Sequence, residues 1–131
     1  MPRLFCFLCA GLLVLGIGSQ AMAAEPIDVQ VSPSTLNLAY EGTVVTVHAD
    51  IPYSGVVTAS LRLNGVQVWY TKADARGDLV AKFRVGDVKE IVAPPSATLT
   101  LVGMVQRKDA PDVWFEGTDT IRVVEVSGPR K

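Results

Sequence analysis

The chain has almost no cysteine. Among its 131 residues only Cys6 and Cys9 occur, both within the first ten positions. Beyond them there is no disulfide, no thiol nucleophile and no thiolate metal ligand, so an apolar core alone must hold the rest together. Histidine is nearly as scarce: His48 stands alone. A histidine base needs a nucleophile and an orienting carboxylate within reach. No Gly-x-Ser-x-Gly, second histidine or further cysteine completes such a set, so His48 reads as an outward-facing strand residue. A basic excess is missing as well, with 12 basic against 13 acidic side chains. Neutralising phosphates takes a basic patch, so a nucleic-acid partner is not expected.

Long hydrophobic runs are absent except at the start. Met1 and Arg3 open the chain, Leu4 to Ile17 is almost wholly apolar, and Ala21-Met22-Ala23 follows. A short positive start, an apolar stretch and a small-x-small site make a secretory signal peptide. The apolar run is shorter than the roughly 20 residues that span a bilayer. Residues 1–23 are therefore read as a signal cleaved after Ala23, with no membrane span afterwards. Residues 24–131 form one domain with its ordered part over about 27–126, exported to the periplasm or beyond.

A long helical period is also missing. Alternation dominates instead, as expected of strands with one buried face. Ile27 to Val31 alternates and stops before Pro33, and Thr35 to Leu38 is a short extended piece. Glu41-Gly42 reads as a turn. Thr43 to Ile51 places Val45, Val47 and Ala49 on one side. Val57 to Leu63 places Ala59, Leu61 and Leu63 together. Asn64-Gly65 then separates two alternating runs, a signature of a type I′ hairpin because both residues accept positive φ. Gly65→Val is expected to strain this turn and Asn64→Gly to leave it nearly unchanged. Val66, Val68 and Tyr70 make the return strand, and Thr71 to Asp78 reads as a polar turn.

Leu79 to Val85 is a further strand, and Val88, Ile91 and Val92 suggest a helical turn or two over Asp87–Val92. Ala97 to Val105 is a long strand, and Arg107 to Asp112 a charged turn. Val113 to Phe115 pairs back, Gly117 allows a reversal, and the last strand runs to about Val126. The count is seven or eight strands. We expect an all-β fold, an antiparallel immunoglobulin-like β-sandwich, with a closed barrel as the competing architecture. Leu61, Leu63, Phe83, Leu99, Leu101, Val45, Val47, Ile121 and Val123 are its candidate core.

Four segments, Val31-Ser32-Pro33-Ser34-Thr35-Leu36-Asn37-Leu38, Leu61-Arg62-Leu63-Asn64-Gly65, Asp78-Leu79-Val80-Ala81-Lys82-Phe83 and Phe115-Glu116-Gly117-Thr118-Asp119-Thr120-Ile121-Arg122-Val123, occur in this order. Together they resemble a module of bacterial secreted and surface proteins. The resemblance covers nearly all of the chain after residue 23. It implies a small β-sandwich without assigned catalysis, typically at the end of larger extracellular proteins. Look-alike modules often carry an acidic, glycine-rich run before the Asp-Leu-x-x-Lys-Phe strand that would suit calcium. Here only Asp74 and Asp78 remain there, with Arg76 between them, which is few for an ion that takes six to eight oxygens. No cofactor and no metal ligand are expected.

The candidate ligand contacts are Trp69, Tyr70 and Trp114, with Tyr40 and Tyr53 as further aromatics. A tryptophan exposed on an exported β-domain suits a polysaccharide or protein at the cell exterior. The bland alternative is a ring that covers a sheet edge. Arg76-Gly77-Asp78, a tripeptide that some animal adhesion receptors bind, reads as a turn leading into a strand. Glu116, Asp119 and Arg122 look like an acid–base group, but Asp119 and Arg122 fall on opposite faces of their strand, so a structural carboxylate is the better reading. The expected function is an exported non-catalytic accessory or interaction module, with a carbohydrate-binding module as the alternative.

Overall fold

The computed structural model describes residues 24–39 and 42–126. The expected signal peptide, Tyr40, the Glu41 half of its turn and the tail after residue 126 lie outside the described residues. Among the described residues ten strands, rather than the expected seven or eight, and one short helix follow in order. They are β1 (Glu25–Pro26), β2 (Val29–Ser32), β3 (Thr35–Asn37), β4 (Val44–Pro52), β5 (Val56–Leu63) and β6 (Val66–Gln67). After these come β7 (Tyr70–Ala73), β8 (Asp78–Arg84), α1 (Val85–Lys89), β9 (Ser96–Val105) and β10 (Val113–Val124).

The strands divide between two sheets and do not close into a barrel. One sheet runs β1-β10-β9-β5-β6, with β3 also paired to β10; the other runs β2-β4-β8-β7. Their inner faces share one apolar core. All nine candidate core residues are buried, and Val31, Leu36, Leu79, Val88 and Phe115 join them. The alternation explains this: in β10, Phe115, Gly117, Ile121 and Val123 are buried, while Trp114, Glu116, Thr118, Thr120 and Arg122 between them are exposed.

Several expectations need correction. The pairing is not wholly antiparallel, because β1 and β3 run parallel to β10. Hairpin-linked neighbours must be antiparallel, but these two strands come from the far end of the chain and their direction is free. The expected turn at Gly117 does not exist. Gly117 sits inside a continuous twelve-residue strand, opposite Leu101. A Cβ there would lie 2.5 Å from Val29 Cγ1 and 2.8 Å from the Ile27 carbonyl oxygen. Glycine is needed at this point because another backbone passes over it.

Ala59 was expected to face the core and is exposed. The cause is an irregularity in β5: Arg62 pairs with Val102, whereas Val57 already pairs with Met104. Ser60 fills the break. Its hydroxyl donates to the Val57 carbonyl at 2.5 Å and accepts from the Met104 N–H at 2.8 Å. The bulge therefore leaves the Met104 amide with a partner.

The hairpin at Asn64-Gly65 is present, with φ of 49° and 87° at the two residues and Leu63 paired to Val66. Its return strand stops at Gln67. The chain then crosses to the other sheet, where the Trp69 N–H donates to the Lys82 carbonyl at 2.8 Å. Residues 66–70 thus divide between two sheets, and Thr71 to Ala73, expected as a turn, belong to β7. The helical turn lies earlier than expected, at Val85–Lys89, because Val85 and Val88 are the residues it buries; Ile91 is exposed.

Asn64 also does more than tolerate its φ. Its Oδ1 accepts from the Thr100 N–H at 2.8 Å and its Nδ2 donates to the Thr98 carbonyl at 3.0 Å. Asn64→Gly is therefore not neutral. We expect a loss of about 1–2 kcal/mol from these bonds. Gly65→Val, where a Cβ meets nothing within 4 Å, is expected to lose about 1–3 kcal/mol through backbone strain alone. Urea melts of the two variants check this; equal stability of Asn64→Gly and wild type would remove the side chain's role.

Candidate functional site

Trp69 leaves the six-stranded sheet and reaches the Arg84 end of the four-stranded one. It is 42% exposed and Tyr70 is 48% exposed. The two rings meet edge to face, with centroids 5.1 Å apart and planes at 76°. The Arg84 guanidinium lies 4.5 Å from the centroid of the Trp69 ring, within cation–π range. A shallow concavity beside them is lined by Trp69, Arg84, Gly42, Thr43 and the first residues of α1. Trp114 is not part of this group. It stands on β10 opposite Met104, on the other sheet and near the Val105–Val113 end. The candidate contacts therefore split into two places, because alternation within one strand carries no information about which sheet that strand joins. Tyr53 is half-buried, its hydroxyl 3.4 Å from that of Thr71.

The outer face of the four-stranded sheet is ordered by charge. Register places Ser32, Thr46, Lys82 and Tyr70 in one row, and Gln30, His48, Val80 and Lys72 in the next. Past them lie Asp28, Asp50, Asp78 and Asp74, one from each strand or the loop that adjoins it. The Asp50 N–H donates to the Asp28 carbonyl at 2.9 Å, and the Asp74 N–H to the Asp78 carbonyl at 2.9 Å. Arg84 extends the opposite end, opposite Val44. One half of the face is thus cationic and aromatic and the other half carries four aspartates, with Arg76 among them. An open concavity of about 570 Å³ lies at the acidic half, bounded by Asp28, Asp50, Asp74, Asp78, His48 and Asp119 among others.

Arg76-Gly77-Asp78 forms the β7–β8 turn. Gly77 has φ of 88°. Asp74 organises the loop: its Oδ1 accepts from the Arg76 N–H at 2.8 Å and the Asp78 N–H at 2.9 Å. Arg76 and Asp78 pair with each other at 2.7 Å. The Asp74 and Asp78 carboxylates are therefore both engaged within the turn, and no group of three or more acidic, histidine or cysteine side chains suited to a metal occurs among the described residues.

The bond from the Asp78 N–H, followed by that from Arg76 and the nearby Arg76 charge, holds the Asp74 carboxyl below its ordinary range. Because the folded value is depressed, this stabilisation is full above the unfolded value and is lost as pH falls through the folded one. Asp74→Ala is therefore expected to lower the melting temperature at pH 7, and the gap to wild type should close under acid conditions below the usual carboxylate range. A gap independent of pH would place the effect elsewhere.

His48 is exposed on the middle row, opposite Gln30 and Val80. Asp119 lies on the inner side of β10, and its Oδ2 accepts from the Val31 N–H at 2.8 Å, tying β2 of one sheet to β10 of the other. Arg122 is on the outer side opposite Ser96, and Glu116 is there opposite Val102. The three do not form a cluster. Among the described residues no helix is long and apolar enough to cross a membrane. In comparisons with protein-family models, curated proteins and solved structures, nothing matches the chain.

Proposed function

We propose that the chain is an exported, non-catalytic accessory or interaction module on an immunoglobulin-like β-sandwich. The observation that carries this reading is strand order. In constant-type immunoglobulin domains one sheet is ordered A-B-E-D and the other C-F-G, with a C′ strand added beside C in variable types. Across the sheets β2, β4, β8 and β7 take the places of A, B, E and D, while β5, β9 and β10 take those of C, F and G and β6 that of C′. The fold by itself implies no activity. Non-catalytic use is supported by the employment of Asp74, Asp78 and Asp119, each bonded to backbone or to a neighbouring side chain that shapes the fold. Export is supported by the leader pattern of residues 1–23 and by the resemblance to secreted bacterial modules.

Expression of the full chain in a bacterial host tests export. N-terminal sequencing of the protein recovered outside the cytoplasm should begin at Ala24. Cytoplasmic protein that retains Met1 to Ala23 would overturn it. A second reading, carbohydrate contact, is favoured by the exposure of Trp69, Tyr70 and Trp114. Tryptophan fluorescence titrated with a panel of soluble polysaccharides tests it, with Trp69→Phe and Trp114→Phe assigning any shift to one of the two places. No shift with any glycan counts against this reading.

A further inference from the structure

We infer that the outer face of the four-stranded sheet pairs with the same face of a second copy, in one orientation selected by charge. This goes beyond the function proposed above and does not depend on where the protein is sent. Lys82 and Arg84 lie towards one end of the face and Asp28 and Asp50 at the other, beside the Arg76–Asp78 pair, with the row of Gln30, His48, Val80 and Lys72 between them. A pair of identical faces related by a two-fold axis is isologous, so each patch meets its own complement or its own like.

Two face-to-face arrangements keep the strands aligned. With the axis along the strands, the aspartate row of one copy lies over the aspartate row of the other. With the axis across the strands, near the His48–Val80 row, the aspartates of each copy lie over Lys82 and Arg84 of its partner, and Lys72 stays near the axis. Like charges repel and unlike charges attract across such an interface, so only the second arrangement is allowed. Val80, at 1% exposure, is covered by its neighbours, and the exposed His48 and Lys72 flank it at the centre of the face. Trp69 and Tyr70 add exposed aromatic surface at the cationic end, the kind of side chain that interfaces favour.

The extent of the face sets the strength. Four strands about 4.8 Å apart and three row steps of about 7 Å cover a patch of roughly 14 by 20 Å. That falls short of the area of a standard stable interface, so the dimer is weak and reversible. With charge carrying the orientation, it is also sensitive to salt.

The test is sedimentation of the protein from Ala24 onward, which contains every residue of the core, over a range of concentrations at about 20 mM and about 500 mM salt, which brackets the Debye lengths that distinguish screened from unscreened pairs. A concentration-dependent dimer at low salt that reverts to monomer at high salt is expected. Lys72→Glu with Arg84→Glu leaves Lys82 and Arg76 as the basic groups of a largely acidic face, and Asp28→Lys with Asp50→Lys makes it largely basic. All four positions are exposed. Each double variant alone should sediment as a monomer with a wild-type circular dichroism spectrum, and an equimolar mixture of the two should recover the dimer. A wild-type chain that stays monomeric at low salt would overturn the inference. So would a dimer indifferent to salt and charge reversal, or a mixture that remains monomeric.

Discussion

Phe83→Ala is expected to destabilise the fold by about 3–5 kcal/mol, the range for deleting a buried aromatic ring. Phe83 has no exposed surface and lies on the inner face of β8, opposite Val45 of β4. That position is central: β8 is an interior strand of its sheet, and Leu61, Leu63, Leu99 and Leu101 of the facing sheet belong to the same core. The ring therefore fills space between the two layers, and nothing covalent compensates for its loss. Against a typical total of about 5–15 kcal/mol, this is a large share. Urea denaturation gives the measurement. Phe83→Leu, which keeps most of the volume, should lose much less. Equal losses for the two would mean that the site collapses around either side chain.

Gly117→Ala is expected to lose about 1–3 kcal/mol through overpacking, although alanine is otherwise at least as good as glycine in a strand. Its added methyl has no room, with Val29 Cγ1 at 2.5 Å and the Ile27 carbonyl oxygen at 2.8 Å. The Val29 methyl can be removed and the carbonyl cannot. Val29→Ala in the Gly117→Ala background should therefore recover part of the loss, a coupling that separate single variants would not show. Gly77→Ala makes the contrast. Gly77 has φ of 88° and open space around it, so its cost is purely conformational and no neighbouring truncation should relieve it. Additive effects of Gly117→Ala and Val29→Ala would remove the close approach as the reason for the glycine.

Gly117 also shows what was hidden in the sequence. A glycine between Glu116 and Thr118 reads as a reversal because local pattern offers no other use for it. Its reason lies in Ile27 and Val29, about ninety residues earlier, and no local rule connects them. The inner face was legible wherever a strand alternates without interruption, as in Val45-Val47 and Leu79-Ala81-Phe83, because burial and period coincide. It was misread at Ala59, where the Ser60 bulge shifts the phase. Val68-Trp69-Tyr70 continues the alternation of Val66 while the chain changes sheet, so the division into β6 and β7 was invisible. The hairpin turn was legible from Asn64-Gly65, but the bonds from Asn64 to Thr98 and Thr100 were not, since they reach across to β9. The charge order of the outer face was hidden for the same reason. The charges are spread from none in β2 to three in β8, and only the register of four strands assembles them into halves.

Strand β10 is the last strand among the described residues, and much of the six-stranded sheet is built on it. It borders β9, β1 and β3, and its Asp119 carboxylate reaches the Val31 amide 88 residues earlier in the chain. Without Phe115 to Val124, β1 and β3 lack the strand they pair with, while β2 keeps its pairing to β4. Contacts so distant in sequence impose slow, late closure. The four-stranded sheet β2-β4-β8-β7 can pair before β10 is in place, whereas the six-stranded sheet is completed only when the two ends of the described residues meet.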